Sequence, residues 1–162
     1  MLELLSPAGS MEALKAAVQN GANAVYLGCG AFNARQSAKN FTPQTLDEAV
    51  KYCHIRGVAV HLTLNTLVSD REIDQVSELI RHAASCGVDA FIVQDLGLAE
   101  ALKKCTLGSI PLHASTQMSI GNLDGVLKAA ELGFTRAVLA RELSKKDIAF
   151  LSAFKKSLKK SE

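Results

Sequence analysis

The four cysteines, Cys29, Cys53, Cys86 and Cys105, contain no CxxC pair and lie far apart. Such spacing offers no ligand set for zinc or an iron–sulfur cluster, so no iron and no zinc are expected in this chain. Free thiols point to a reducing compartment, and the expected location is cytoplasmic. No apolar run approaches the roughly 18–20 residues that span a bilayer, so a membrane is not an expected partner. Glu3 and Pro7 interrupt the amino terminus before any long apolar region, so no signal peptide is expected. A net charge of +2 is too small to argue by itself for nucleic acid or an acidic membrane. There is no HExxH zinc helix, no GxSxG nucleophile elbow and no GxxxxGKS/T phosphate loop. Gly28-Cys29-Gly30 lacks the third glycine of a dinucleotide fingerprint and reads as a flexible turn. Cys29 sits at a strand end with no identifiable base beside it.

What is present is a repeated punctuation. Leu2, Leu4 and Leu5 form a short apolar run that Ser6-Pro7-Ala8-Gly9 stops. Ser10 can cap a helix whose apolar face is Met11, Leu14 and Val18. Gly21 ends that helix, and Ala24-Val25-Tyr26-Leu27 is a second buried strand. The sequence helix, glycine, buried strand recurs at Gly57, Gly87 and Gly133, with a weaker copy at Gly108. Six strands are therefore predicted, starting near residues 2, 24, 58, 90, 110 and 136. The helices between them carry their own start signals: Thr42-Pro43, the capping box Ser69 to Glu72, Asn122, and a weaker box at Ser144 to Asp147. The helix after Asp95 is predicted over Leu98 to Lys104, and the last from Ser144 to Lys160. No linker, low-complexity stretch or internal boundary is visible.

Strict alternation with near-continuous apolar strands gives an α/β fold with a parallel sheet covered by helices. A doubly wound sheet binds its ligand where the strand order reverses; a (β/α) barrel binds at the ring of strand carboxyl ends. The third strand favours the barrel. Val58, Val60, Leu62 and Leu64 can face the helices, while Ala59, His61, Thr63 and Asn65 face inward and grow more polar toward the carboxyl end. A complete barrel takes about 200–250 residues or more. Residues 1–162 are thus expected to form a single partial TIM-barrel-like domain of about six parallel βα units, truncated before the last two. The unpaired edges of its first and sixth strands point to self-association or to a complementing chain carrying the missing strands.

Several stretches resemble peptidase family U32, the collagenase-like peptidases. They are ELLSPAGSMEALKAAVQNGANAVYLG, FNARQSAKNF, GVAVHLTLNTLV, VQDLG, HASTQMSI and ARELS, in that order over nearly the whole chain. The resemblance implies a TIM-like amino-terminal barrel. It implies either a peptidase, hence a hydrolase, or a role in hydroxylating tRNA or rRNA bases, with a peptide or RNA as substrate. Some relatives act in oxygen-independent quinone hydroxylation. In relatives that hydroxylate, cysteines in a later region hold an iron–sulfur cluster. Glu162 ends this chain before such a region, so a cluster is expected only with a cysteine-rich region supplied from elsewhere. A third reading is a non-catalytic binding or assembly fragment.

Polar residues at strand ends are the candidates for chemistry. Asp95 can act as a general base or metal ligand, or can cap the helix beginning near Gly97. Arg141 can grip a carboxylate or phosphate and Glu142 can move protons, or the two can join internal salt bridges. Arg35 lies in the long Cys29–Thr42 connection, where binding loops are common, or is a solvated surface residue. Asn65, Ser115 and Gln117 can orient a polar substrate, or satisfy loop backbone. His61 and His113 read as inward core histidines, and His54 and His82 as helix-surface residues. Arg35, Asn65, Asp95, Gln117, Arg141 and Glu142 are expected on one rim.

Overall fold

A computed structural model describes residues 2–34 and 40–158, with side chains described as far as residue 153. Six strands alternate with six helices: β1 (Leu5–Pro7), α1 (Met11–Gln19), β2 (Ala24–Gly28), α2 (Pro43–His54), β3 (Ala59–Leu64), α3 (Ile73–Cys86), β4 (Ala90–Val93), α4 (Leu96–Thr106), β5 (Leu112–Ala114), α5 (Leu123–Glu131), β6 (Phe134–Ala137) and α6 (Lys145–Leu158). Every pairing is parallel, and the order across the sheet is β1-β2-β3-β4-β5-β6. A doubly wound sheet would reverse this order at some point. Here each unit adds to the same side of the last, which is the winding of a (β/α) barrel.

The start signals act as the sequence suggests. Ser10 accepts the Ala13 N–H at 3.2 Å, and Asn122 accepts that of Gly125 at 2.8 Å. Ser69 and Glu72 close a reciprocal box at a 3-10 turn leading into α3, and Ser144 and Asp147 close another before α6. Gly87 ends α3 at φ 88°, a left-handed conformation that glycine adopts without strain.

Three elements differ in their bounds from expectation. The sixth strand is Phe134–Ala137 rather than residues 136–140. Beyond it the Val138 N–H still reaches the Ala114 carbonyl, but the Ala140 N–H goes to Ile120, so the chain leaves the sheet and turns over its end. The first strand begins at Leu5, because the side chains of Leu2 and Leu4 are exposed even though the Leu4 backbone already pairs with Asn23. Helix α4 is also longer than expected, because Asp95 caps it from its first turn.

The core lies between the outer faces of the strands and the helices. Val25, Val60, Leu62, Leu64 and Phe91 meet Leu14, Leu46, Val50, Ile80, Leu98 and Leu102, all fully buried. Each such side chain contributes roughly 1.5–3 kcal/mol on leaving water, and together they hold the strands in register. Among the described residues, β1 and β6 each have a strand neighbour on one side only. Glu3 and Arg136 span the two ends with a bidentate ion pair, 2.5 and 3.0 Å. No helix among the described residues is long and apolar enough to cross a membrane.

Candidate functional site

Alternation in β3 and β5 sends every second side chain into the barrel. β3 carries His61 and Thr63, with Asn65 just past its end; β5 carries His113, Ser115 follows it directly, and Gln117 stands in the 3-10 turn Thr116–Met118 beyond. Ile92 of β4 stands between them, paired with Thr63 on one side and His113 on the other. The interior therefore has an imidazole layer at the bottom, a hydroxyl layer above it and amides at the carboxyl rim.

The bottom layer is buried. The His61 and His113 rings meet edge to face with centroids 4.8 Å apart, and each residue is at most 5% exposed. Neither Nδ1 has a hydrogen-bond partner. Burial, then the neighbouring His61 and Arg136, lower the His113 pKa to about 4, against a weaker opposing pull from Glu3. Burial also lowers that of His61. Both shifts favour the neutral imidazole, which is how a buried ring avoids the cost of an unpaired charge.

Above this floor opens a cleft of about 380 Å³. Thr63, Ile92 and Ser115 line its depth, and Tyr26, Asn65, Gln117 and Arg141 its sides. The Thr63 hydroxyl donates to the Leu27 carbonyl at 3.0 Å, and the Thr116 hydroxyl to that of Leu139 at 3.3 Å. Ser115, 2% exposed, accepts the Gln117 N–H at 3.3 Å. The Asn65 Oδ1 accepts the Ala34 N–H at 3.1 Å. Arg141 is exposed at the rim and has no ion-pair partner among the described residues.

The connection after β2 also reaches the cleft, through Asn33 and Asn40. A bridge between Cys29 and Phe41 folds it back, and both asparagine amides donate to the Gly30 carbonyl. Gly28 allows this packing: a Cβ there would lie 2.5 Å from the Asn33 Cγ. Tyr26, Asn33 and Asn40 were not legible as site residues. The matched ladders of β3 and β5 were the available signal for the His61–His113 layer.

Four expected residues, Asn65, Ser115, Gln117 and Arg141, line this one cleft. Asp95 lies in an adjoining hollow that shares Gln117. Both of its oxygens are engaged: one accepts the Leu98 N–H at 2.8 Å as the α4 cap, the other the Val68 N–H at 3.3 Å. Glu142 is exposed and is not among the residues lining either hollow. Arg35 lies outside the described residues.

The thiols do not fit an iron–sulfur cluster. Cys29 follows β2, while Cys53, Cys86 and Cys105 lie on α2, α3 and α4. Burial raises Cys29 and Cys53 to about 11, the opposite of what thiolate ligands need. Among the described residues no three His, Cys, Asp or Glu side chains converge as a metal site.

A sequence model of peptidase family U32 matches residues 9–159. The chain belongs to peptidase family U32. It is 41% identical over 143 residues to the 23S rRNA 5-hydroxycytidine C2501 synthase of Escherichia coli K12, covering 88% of this chain and 21% of that protein. It is 40% identical over 144 residues to an uncharacterized protease of Methanocaldococcus jannaschii, covering 89% of this chain and 34% of that protein. The chain thus spans between about a fifth and about a third of the length of these relatives. A solved structure of a U32 peptidase shares its fold, with a TM-score of 0.72 at 14% identity, covering 94% of this chain and 65% of that one.

Proposed function

We propose that this U32 chain is the nucleobase-binding barrel portion of an RNA-hydroxylation protein, and that its cleft holds a pyrimidine nucleoside. The observation that carries this reading is the chemistry of the cleft wall. It offers an aromatic ring, amides, hydroxyls and one guanidinium, with no carboxylate, thiol or imidazole among the described lining residues. Proteins that read single RNA bases stack them on aromatic rings and bond their edges with amides. An arginine at the rim suits the attached phosphate. A hydrolase needs a nucleophile or activated water with a base in reach, and the described lining residues include hydroxyls but no carboxylate or imidazole to serve as that base. The bacterial relative named as a 5-hydroxycytidine synthase supports the same reading.

In this account Asn65, Ser115 and Gln117 orient the base and Arg141 grips the phosphate. Asp95 holds the segment around Val68 against α4. The chain binds and positions the base; its own thiols are not placed to supply redox chemistry. Residues 1–162 act as one barrel portion in the cytoplasm, and a second copy or a complementing chain covers the edges of β1 and β6. The competing reading is a peptide hydrolase working through Asp95 and Glu142, favoured by the relative named as a protease.

Calorimetric titration of the chain with cytidine 5′-monophosphate and with a collagen-like peptide separates the two. The expected result is saturable nucleotide binding, weakened about tenfold or more in Arg141→Ala, and no peptide cleavage. Gelatin cleavage lost in Asp95→Ala, with no nucleotide binding, would overturn the reading.

A further inference from the structure

We propose that Asn65 determines specificity in the cleft by donating its amide N–H to a carbonyl oxygen of the bound base; this rests on the nucleoside reading above. The Ala34 N–H lies 3.1 Å from the Asn65 Oδ1. A backbone N–H can only donate, so oxygen must occupy that side of the amide. Rotating the amide would set two donors against each other. Its nitrogen, which has no partner among the described residues, is what Asn65 can offer a ligand.

The neighbours favour the same ligand chemistry. The Ser115 oxygen accepts the Gln117 N–H, which leaves the hydroxyl hydrogen to donate. Arg141 can only donate. Gln117 can serve either polarity. Hydrogens available to a ligand therefore come from several sides of the cleft, while the Asn65 oxygen is already taken. A ring bearing an exocyclic carbonyl, such as a pyrimidin-2-one, fits this pattern. A ring presenting an amino group at that position would meet donors with donors.

Asn65→Asp isolates this role. The carboxylate keeps an oxygen for the Ala34 N–H, so the local fold is retained, and it replaces the donors with an acceptor. The test measures cytidine 5′-monophosphate and its analogue lacking the 2-oxo group against both proteins. The expected outcome is that either change alone weakens binding about tenfold or more, while the two together weaken it little further, because both delete one hydrogen bond. Discrimination between the two nucleotides by the wild-type chain tests the carbonyl contact even if the variant folds poorly. Nucleotide binding that depends on Arg141 but is indifferent to Asn65→Asp, or equal losses of both nucleotides in Asn65→Asp, would overturn this inference and leave the nucleoside reading standing. No binding of cytidine 5′-monophosphate by the wild-type chain would overturn both.

Discussion

Below Thr63 and Ser115 the inward side chains are His61 and His113, buried and packed ring against ring. Above them are Asn65 and Gln117, facing an open cleft. His61 and His113 lie within β3 and β5, and Asn65 and Gln117 just past the carboxyl ends of the same strands, so the spacing of polar residues alone does not separate the layers. Hydration does. A buried nitrogen without a partner costs roughly 1–3 kcal/mol, whereas a rim amide bonds water until a ligand arrives. The lower layer should therefore speak through stability and pH, and the upper layer through binding.

The largest expected effect separates the layers by acid. Unfolded histidines take up protons near pH 6.5, while folded His113 does so only at about 4. Between those values the unfolded state binds more protons, so stability falls as pH drops from about 6.5 toward about 4. The loss should be on the order of 3 kcal/mol from His113, with His61 adding in the same direction. Urea denaturation at a series of pH values measures it. His113→Leu should flatten the slope in that range without weakening nucleotide binding at pH 7.

A second change acts on both layers. Gly28→Ala drives a methyl into the Asn33 side chain and should cost about 1–3 kcal/mol, with weaker nucleotide binding because Asn33 lines the cleft. Thermal unfolding and titration of one sample would show both losses; a loss of stability alone would detach Asn33 from the cleft. Asp95→Ala should cost about 1 kcal/mol through the lost cap, and Asp95→Asn much less, with nucleotide affinity unchanged in both. The smallest effect is expected from Glu3→Gln. The Glu3–Arg136 pair is more than a third exposed on both sides, so stability should change by less than about 1 kcal/mol. Removing the Glu3 charge should also move the imidazole titration of His61 and His113 to lower pH, visible by NMR.

Much of the scaffold was legible. In β3 the apolar set Val60, Leu62 and Leu64 faces the helices, as its period requires, and the polar set lies inside. The end of β6 was not legible, since Val138-Leu139-Ala140 is as apolar as a strand; its turn is set by the Ala140 bond to Ile120. At Asp95 an acid after a strand and a helix cap give the same signal. Only the distances to Leu98 and Val68 show that both oxygens are engaged. Asn33 and Asn40 reach the cleft because the Cys29–Phe41 bridge folds their connection back, a contact with no local signature.

The most direct test of the account is an NMR titration of the labelled chain with cytidine 5′-monophosphate, following side-chain signals from both layers. The expected result is saturable movement of the Asn65 and Gln117 amide pairs and of the Arg141 guanidinium, with the His61 and His113 imidazole signals nearly still. Imidazole signals that move while the rim amides stay fixed, or no movement in either layer, would contradict it.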